Sequence, residues 1–230
     1  MSGSLQAYHK HVLDGSADTA NVTATSLSIA SYITGTLFFT DTLSGTFNQA
    51  YTVASNATGT VTSGRNNANG TFSTTDDTGT GTFSFTNVSD VWTTTTTTTS
   101  TTEEHVSNGA FTLALSSGGN MFTFTLSLTN LDDKIRTNAD FSEDWWIDGS
   151  IGMTWAPNLG GGCLPGTITI TTVAPIHTPD AVSCPQSGEL TVNNANVKFG
   201  VPSGIQVTVT VGGTSQVFAD CDSLGGGACF

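Results

Sequence analysis

The residues best placed to do chemistry lie in the segment 130–148, NLDDKIRTNADFSEDWWID, the one charge-dense stretch of the chain. It holds the acids Asp132, Asp133, Asp140, Glu143, Asp144 and Asp148. Carboxylates are hard oxygen donors of the kind calcium takes. No D-x-D-x-D-G loop organises them, so the spacing permits calcium at Asp132, Asp133, Asp140 and Asp144 without demanding it. Glu103/Glu104 and Glu143/Asp144 are adjacent acid pairs. Glycoside hydrolysis needs one raised and one ordinary carboxyl across a cleft, whereas neighbours in sequence more often form a solvated acidic patch. Trp145 and Trp146 are consecutive and on a strand face opposite ways, Trp145 with Ile147 and Trp146 with Asp148. Trp155 closes the same segment. With one face in the core, Trp146 is exposed and can stack on a sugar ring or anchor a partner. The equal alternative is that it packs beneath the acidic loop.

Histidine and cysteine offer less. His9, His11 and Asp14 form H-x-H-x-x-D, and on a strand both histidines would share a face able to ligate a metal. A mobile arm carrying two exposed histidines is the commoner arrangement. His105 follows two glutamates and His177 lies between prolines. No GxSxG motif is present, so a Ser–His–Asp triad would have to assemble in space. Cys163, Cys184, Cys221 and Cys229 all fall in the last third of the chain. Without a CxxC pair, a zinc ribbon or thioredoxin-type site has no support, and without CxxCH neither has covalent haem. Four cysteines in a lysine-poor chain read as two disulfides formed in an oxidising compartment, with three connectivities open. No cofactor is required.

These groups need a scaffold, and composition says which kind. Charged residues are 10% of the 230, against roughly 25% in an ordinary soluble domain. Hydroxyls replace them: 43 Thr and 24 Ser. Threonine is stiff at χ1 and favours pleated surfaces, so strands are expected over helices. The net charge of −13 comes with only five scattered bases, Lys10, Arg65, Lys134, Arg136 and Lys198. A phosphate backbone needs clustered cations, so nucleic acid is excluded as a partner, as is charge-driven adhesion to anionic lipid. No run of eighteen apolar residues exists to cross a membrane as a helix. The opening MSGSLQAYHK has no signal-peptide pattern. It is expected to be a mature N-terminus with an added Met, or a lipoprotein start whose modified cysteine was replaced.

Along the chain, residues 1–20 show no clear period and read as an arm, or a strand docking elsewhere. A Thr-rich antiparallel body is expected over 21–160 and a cysteine-framed module over 161–230, joined by APNLGGGC or running on as one continuous domain. Within the body, alternating runs separated by Asn, Gly and Asp clusters indicate short antiparallel strands. In 45–53, Phe47, Tyr51 and Val53 share a face. The clearest hairpin is AFTLALSSGGNMFTFTLSL. It pairs Phe111, Leu113 and Leu115 with Phe122, Phe124, Leu126 and Leu128 across SSGGN, and is expected to be core, dry on one face and wet on the other. The tract TTTTTTTSTT (93–102) reads as an exposed loop or solvent-facing edge strand. With only TITITT (167–172) for company, it falls short of an ice- or crystal-binding ladder. Sequons at Asn21, Asn56, Asn69 and Asn87 are no more than chance supplies. The expected fold is all-β: an antiparallel β-sandwich or partly closed barrel with a disulfide-framed C-terminal β module.

In that module ELTV and VKFGV flank NNAN, and IQVTVTV and SQVFA flank GGT, as two hairpins. Were the four strands a flat meander, Cys184 and Cys221 would sit about 14 Å apart, whereas a disulfide needs Cα atoms within about 7 Å. Their bonding therefore requires strong curling, or pairing of the first strand elsewhere. The segment 166–221 resembles a C-terminal unit of secreted or periplasmic bacterial proteins of unknown role. In those, a Thr-rich strand precedes a CPxSG turn and an alternating hairpin. Cys184, Pro185, Ser187, Gly188 and NNAN match, and VNNANVKFGVPSG departs from the longer Gly-Asp turn of that pattern. The resemblance implies an exported β protein and brings no catalytic residues. A non-catalytic structural or interaction protein of the cell surface or periplasm is expected, self-assembling or pairing with other surface proteins through strands. Carbohydrate binding through Trp146, Trp145 and Trp155 is second, and hydrolysis third.

Overall fold

Threonine alternating with Phe, Leu, Ile and Val sets one face of a pleated strand apolar and the other hydroxyl. The computed structural model, which describes residues 2–11, 17–33, 36–56, 58–157, 166–179 and 184–225, carries this pattern almost end to end. Thirteen strands follow: β1 (Ser2–His11), β2 (Ala17–Ile33), β3 (Thr36–Asn56), β4 (Gly59–Asp76), β5 (Gly79–Thr97), β6 (Ser100–Ser117), β7 (Asn120–Asn138), β8 (Glu143–Ala156), β9 (Gly166–Thr178), β10 (Ser187–Val192), β11 (Ala195–Phe199), β12 (Val207–Val211) and β13 (Thr214–Phe218). A short 3-10 turn, Asp222–Gly225, comes last. Each strand pairs antiparallel with the next, in one open sheet of order β1 to β13. The all-β antiparallel class is as expected. No helix among the described residues is long and apolar enough to cross a membrane.

Of the two readings of residues 1–20, a docked strand rather than an arm describes 2–11: β1 pairs with its neighbour β2 from Ser2↔Ser28 to His11↔Asp18 and forms the sheet edge. The Thr tract is no edge strand; its exposed middle is a hairpin turn. It is the tip of the β5–β6 hairpin, where the Thr97 hydroxyl accepts from the backbone N–H of Thr99 (3.2 Å) and Ser100 (3.0 Å). The division near residue 160 is bridged by the sheet, since β8 pairs with β9 from Glu143↔Thr178 to Met153↔Gly166.

The expected short strands are long ones. β3 runs 21 residues and β4 to β7 run 18 or 19, roughly 60 Å each. What read as turns between short strands are β-bulges inside long ones. Three Asx-Gly pairs, Asn69-Gly70, Asn108-Gly109 and Asp148-Gly149, stand 39 and 40 residues apart. In each, the Asx side chain accepts from a backbone N–H on the following strand: Asn87 to Asn69 Oδ1 (2.6 Å), Asn130 to Asn108 Oδ1 (2.8 Å) and Thr172 to Asp148 Oδ1 (2.9 Å). The extra residue of a bulge loses its ladder bond, and the Asx oxygen restores one. Asn87 (φ 49°) and Asn130 (φ 45°) take the left-handed conformation that Asn tolerates.

Gly109 (φ +124°) stands where any Cβ would lie 2.6 Å from Val88 Cα. Gly109→Ala is therefore expected to destabilise the fold by about 1–2 kcal/mol, read as a lower urea midpoint. Gly118→Ala, a turn glycine with open space around it, provides the comparison for positive-φ strain alone.

Register sorts the side chains. Leu43, Phe72, Phe83, Leu113, Phe124 and Trp155 stand opposite one another in sequence across β3 to β8, one continuous apolar row. A second row runs Phe85, Phe111, Leu126, Met153. On the other face the rows are Thr42, Ser73, Thr82, Ala114, Thr123, Ala156 and Ser44, Thr71, Ser84, Thr112, Thr125, Thr154. The β6–β7 register is as expected, with Phe111↔Leu126, Leu113↔Phe124 and Leu115↔Phe122. Its burial is not: Leu115 is 44% exposed and the hairpin's apolar side chains are half-buried at most. Among the described residues the buried hydrophobic ones are Ile176, Cys184, Leu190 and Val207. They lie on β9, β10 and β12 and at Cys184, which meets Cys221 in a disulfide, Cα–Cα 5.6 Å. Cys184 and Cys221 lie just outside β10 and β13, three residues from each strand end, so the flat-strand separation does not apply to them. Cys163 and Cys229 lie outside the described residues.

Candidate functional site

Beyond the bulges the sheet changes character, because the strands there carry the charges. The best-defined polar cluster is built on Asp144 at the start of β8, buried to 8%. β7 supplies Arg136, whose Nε (3.1 Å) and Nη2 (2.5 Å) both donate to Asp144 Oδ2. The same strand supplies Asn138, whose Nδ2 donates to that oxygen at 3.3 Å. From β9, His177 Nδ1 lies 2.8 Å from Oδ1. Burial works against the charged carboxylate, but hydrogen bonds from Arg136, His177 and Asn138 outweigh it and hold Asp144 below the usual carboxylate range. The cluster thus ties three strands together through one anion. In the sequence His177 lies just after Pro175, a residue that within a sheet removes a ladder hydrogen bond. The strand passes through that proline within the irregular stretch between Trp145↔Ile176 and Gly149↔Ile170. An interrupted ladder tolerates a residue without N–H.

The six acids of 130–148 do not converge. Asp132 and Asp133 are neighbours on β7 and point to opposite faces. Asp133 accepts from the indole N–H of Trp145. Asp140 caps its own turn through the Ser142 hydroxyl (2.7 Å) and backbone N–H (3.1 Å), which lowers its carboxyl. Asp132 stands opposite Asp148, and its Oδ1 is buried without a hydrogen-bond partner. Burial first, then the charges of Glu104 and Asp148, push Asp132 up, with Lys134 opposing. Among the described residues, the one group with metal-site spacing is Cys184, Cys221 and Asp222, whose two sulfurs are already bonded to each other. His9 and His11 both fall within β1, and Asp14 lies outside the described residues.

His105 does acquire an acid and a serine. Asp90 on β5 lies 3.2 Å from His105 Nδ1 and accepts from Ser107 Oγ (3.3 Å) and Asn66 Nδ2 (3.3 Å). A nucleophilic triad needs its serine on the imidazole, and here Ser107 donates to the carboxylate instead. The group is a second anion-centred tie, joining β4, β5 and β6. Two shallow grooves, of about 300 and 380 Å³, lie at strand ends and are lined by hairpin-tip residues such as Thr78, Gly79 and Leu115, or Thr97, Ser100 and Phe141. Neither includes His105, Asp132, Glu143 or Asp144.

The tryptophans alternate as the period requires. The ring of Trp146 is flanked by Lys134 (5.7 Å) and Arg136 (5.6 Å), so two of the five bases already occupy its π-surroundings. It is half-buried under them rather than presented bare to a sugar. Trp145, 36% exposed, and Trp155 lie on the apolar face. The largest continuous feature is that face itself. Leu43, Phe72 and Phe83 are 37%, 40% and 39% exposed, and Phe83 stacks on Phe111 with ring centroids 6.2 Å apart. No family model, curated protein or solved structure matches the chain.

Proposed function

We propose that this chain is a non-catalytic structural subunit of a cell surface or periplasm that assembles with further copies through its sheet. The supporting observation is area. The chain exposes 13536 Å², whereas a compact monomer of 23.7 kDa exposes about 9,800 Å². Stable domains stack two layers around a core, and the long strands here form one. The free side of β1 adds an edge open to strand addition. Hydroxyl rather than charged wetting, and a disulfide, fit an oxidising exterior. The C-terminal module's likeness to exported β proteins points the same way.

Sedimentation equilibrium of the oxidised full chain is expected to give a mass above 23.7 kDa that rises with concentration. A strict monomer up to the solubility limit would remove the assembly reading.

A further inference from the structure

We propose that a second copy of this chain covers the apolar face, the two sheets meeting across the row Leu43, Phe72, Phe83, Leu113, Phe124 and Trp155. This rests on the self-assembly reading and assigns its surface. The chain exposes about 3,700 Å² more than a compact monomer of its mass. An obligate homodimer buries about 2,000–5,000 Å² in all, half of it from each partner. The excess over the whole chain is thus larger than one partner's share of such an interface, about 1,000–2,500 Å².

Charge permits the same pairing. A chain of net charge −13 repels its copy over most of its surface. Across β4 to β8, however, the apolar rows contain no charged side chain: Phe72, Phe83, Leu113, Phe124 and Trp155 are flanked by Phe85, Phe111, Leu126 and Met153, then Leu128, Ile151 and Ile168. Two such charge-free patches can approach to the ~10 Å of packed sheets, and the acids of this face, Asp41, Asp90, Glu103 and Asp133, lie outside these rows. A lipid surface fits less well. The sheet is open at β1 and β13, and unpaired edges are not tolerated in hydrocarbon. Asp90, His105 and Asp133 also share this face farther along the strands.

The test uses the oxidised full chain, with circular dichroism to confirm β content. Wild type is expected to sediment as an even-numbered oligomer. Leu113→Asp on the row is expected to weaken association by roughly 100-fold or more, since it buries an unpaired charge in each partner. Thr112→Asp, one residue away on the hydroxyl face, is expected to leave association unchanged. Should Leu113→Asp fail to fold, Leu113→Cys keeps a small apolar side chain at the middle of the row. A long bismaleimide is then expected to join two chains through it. A monomeric wild type would overturn both this inference and the self-assembly reading. An oligomer that resists Leu113→Asp, or leaves the Leu113→Cys variant uncoupled, but falls apart when residues 2–11 are deleted would place the contact on the edge and overturn this inference alone. Flotation of wild type with phosphatidylcholine vesicles, lost in Leu113→Asp, would assign the face to lipid and overturn it likewise.

Discussion

Removing the Cys184–Cys221 bond is expected to cost about 4 kcal/mol, the largest effect of any change considered for this chain. The cross-link closes a loop of sequence separation 37, and a loop of that size loses about 4 kcal/mol of closure entropy in the unfolded state. Little else holds this region. β10 to β13 are six, five, five and five residues long, too short to be stable as isolated hairpins. Their core is Ile176, Leu190 and Val207 around the buried Cys184. Without the bond the short strands can separate and expose all three. The measurement is a urea titration with and without dithiothreitol, alongside Cys184→Ala/Cys221→Ala. The expected result is a lower midpoint for both the reduced protein and the double variant than for the oxidised wild type. Equal midpoints for oxidised and reduced wild type would show that β10 to β13 stand by packing alone.

How much of this was legible in the sequence follows from what each signal depends on. The β6–β7 register was readable because it rests on a local turn and period-2 alternation, both confined to twenty residues. The β10–β13 hairpins were readable for the same reason. Strand length was not, because Asn-Gly serves two purposes. In a hairpin it supplies positive φ for a tight turn. In a bulge it supplies the same backbone freedom, with the Asn side chain replacing a lost ladder bond. Asn69-Gly70 and Asn108-Gly109 look identical under either reading. Only their near-40-residue recurrence, continued by Asp148-Gly149, marks a repeating two-strand unit. The Asn69 and Asn87 sequons, uninformative as glycosylation signals, are the two halves of one such unit.

The polar ties were invisible for a different reason. Asp90 meets His105, and Asp144 meets His177, across separations of 15 and 33 residues. These contacts depend on register on both sides of a bulge, and a one-residue slip reverses every face. A sequence reading that lacks the bulges cannot place them. The acidic stretch 130–148 looked like a ligand cluster for the same reason: six acids close in sequence are divided by the pleat between two faces and a turn. What remained legible was the division of labour between hydroxyl and apolar side chains, and in the apolar half of the sheet it holds row by row.

Asp144 offers the sharpest test of the polar half. Asp144→Ala is expected to destabilise the fold by about 2–3 kcal/mol at neutral pH. Deleting one partner of a fully buried pair costs about 3–5 kcal/mol. Here the carboxylate side chain is 11% exposed, but Arg136 and His177 are 45% and 38% exposed and can recover water. The pH dependence follows from the sign of the shift. Asp144 is held below the ordinary carboxylate value, so its contribution is fully present above about pH 4, the unfolded pKa. It is lost as pH falls through the lower folded value. Urea midpoints of wild type and Asp144→Ala should therefore differ most near pH 7 and converge below pH 4. Asp144→Asn, which keeps the shape but not the charge, should follow the alanine variant in pH dependence while losing less at neutral pH. A gap between wild type and Asp144→Ala that stays constant from pH 7 down to pH 2 would mean the side chain acts by packing, and that the ion pair with Arg136 contributes nothing to holding β7, β8 and β9 together.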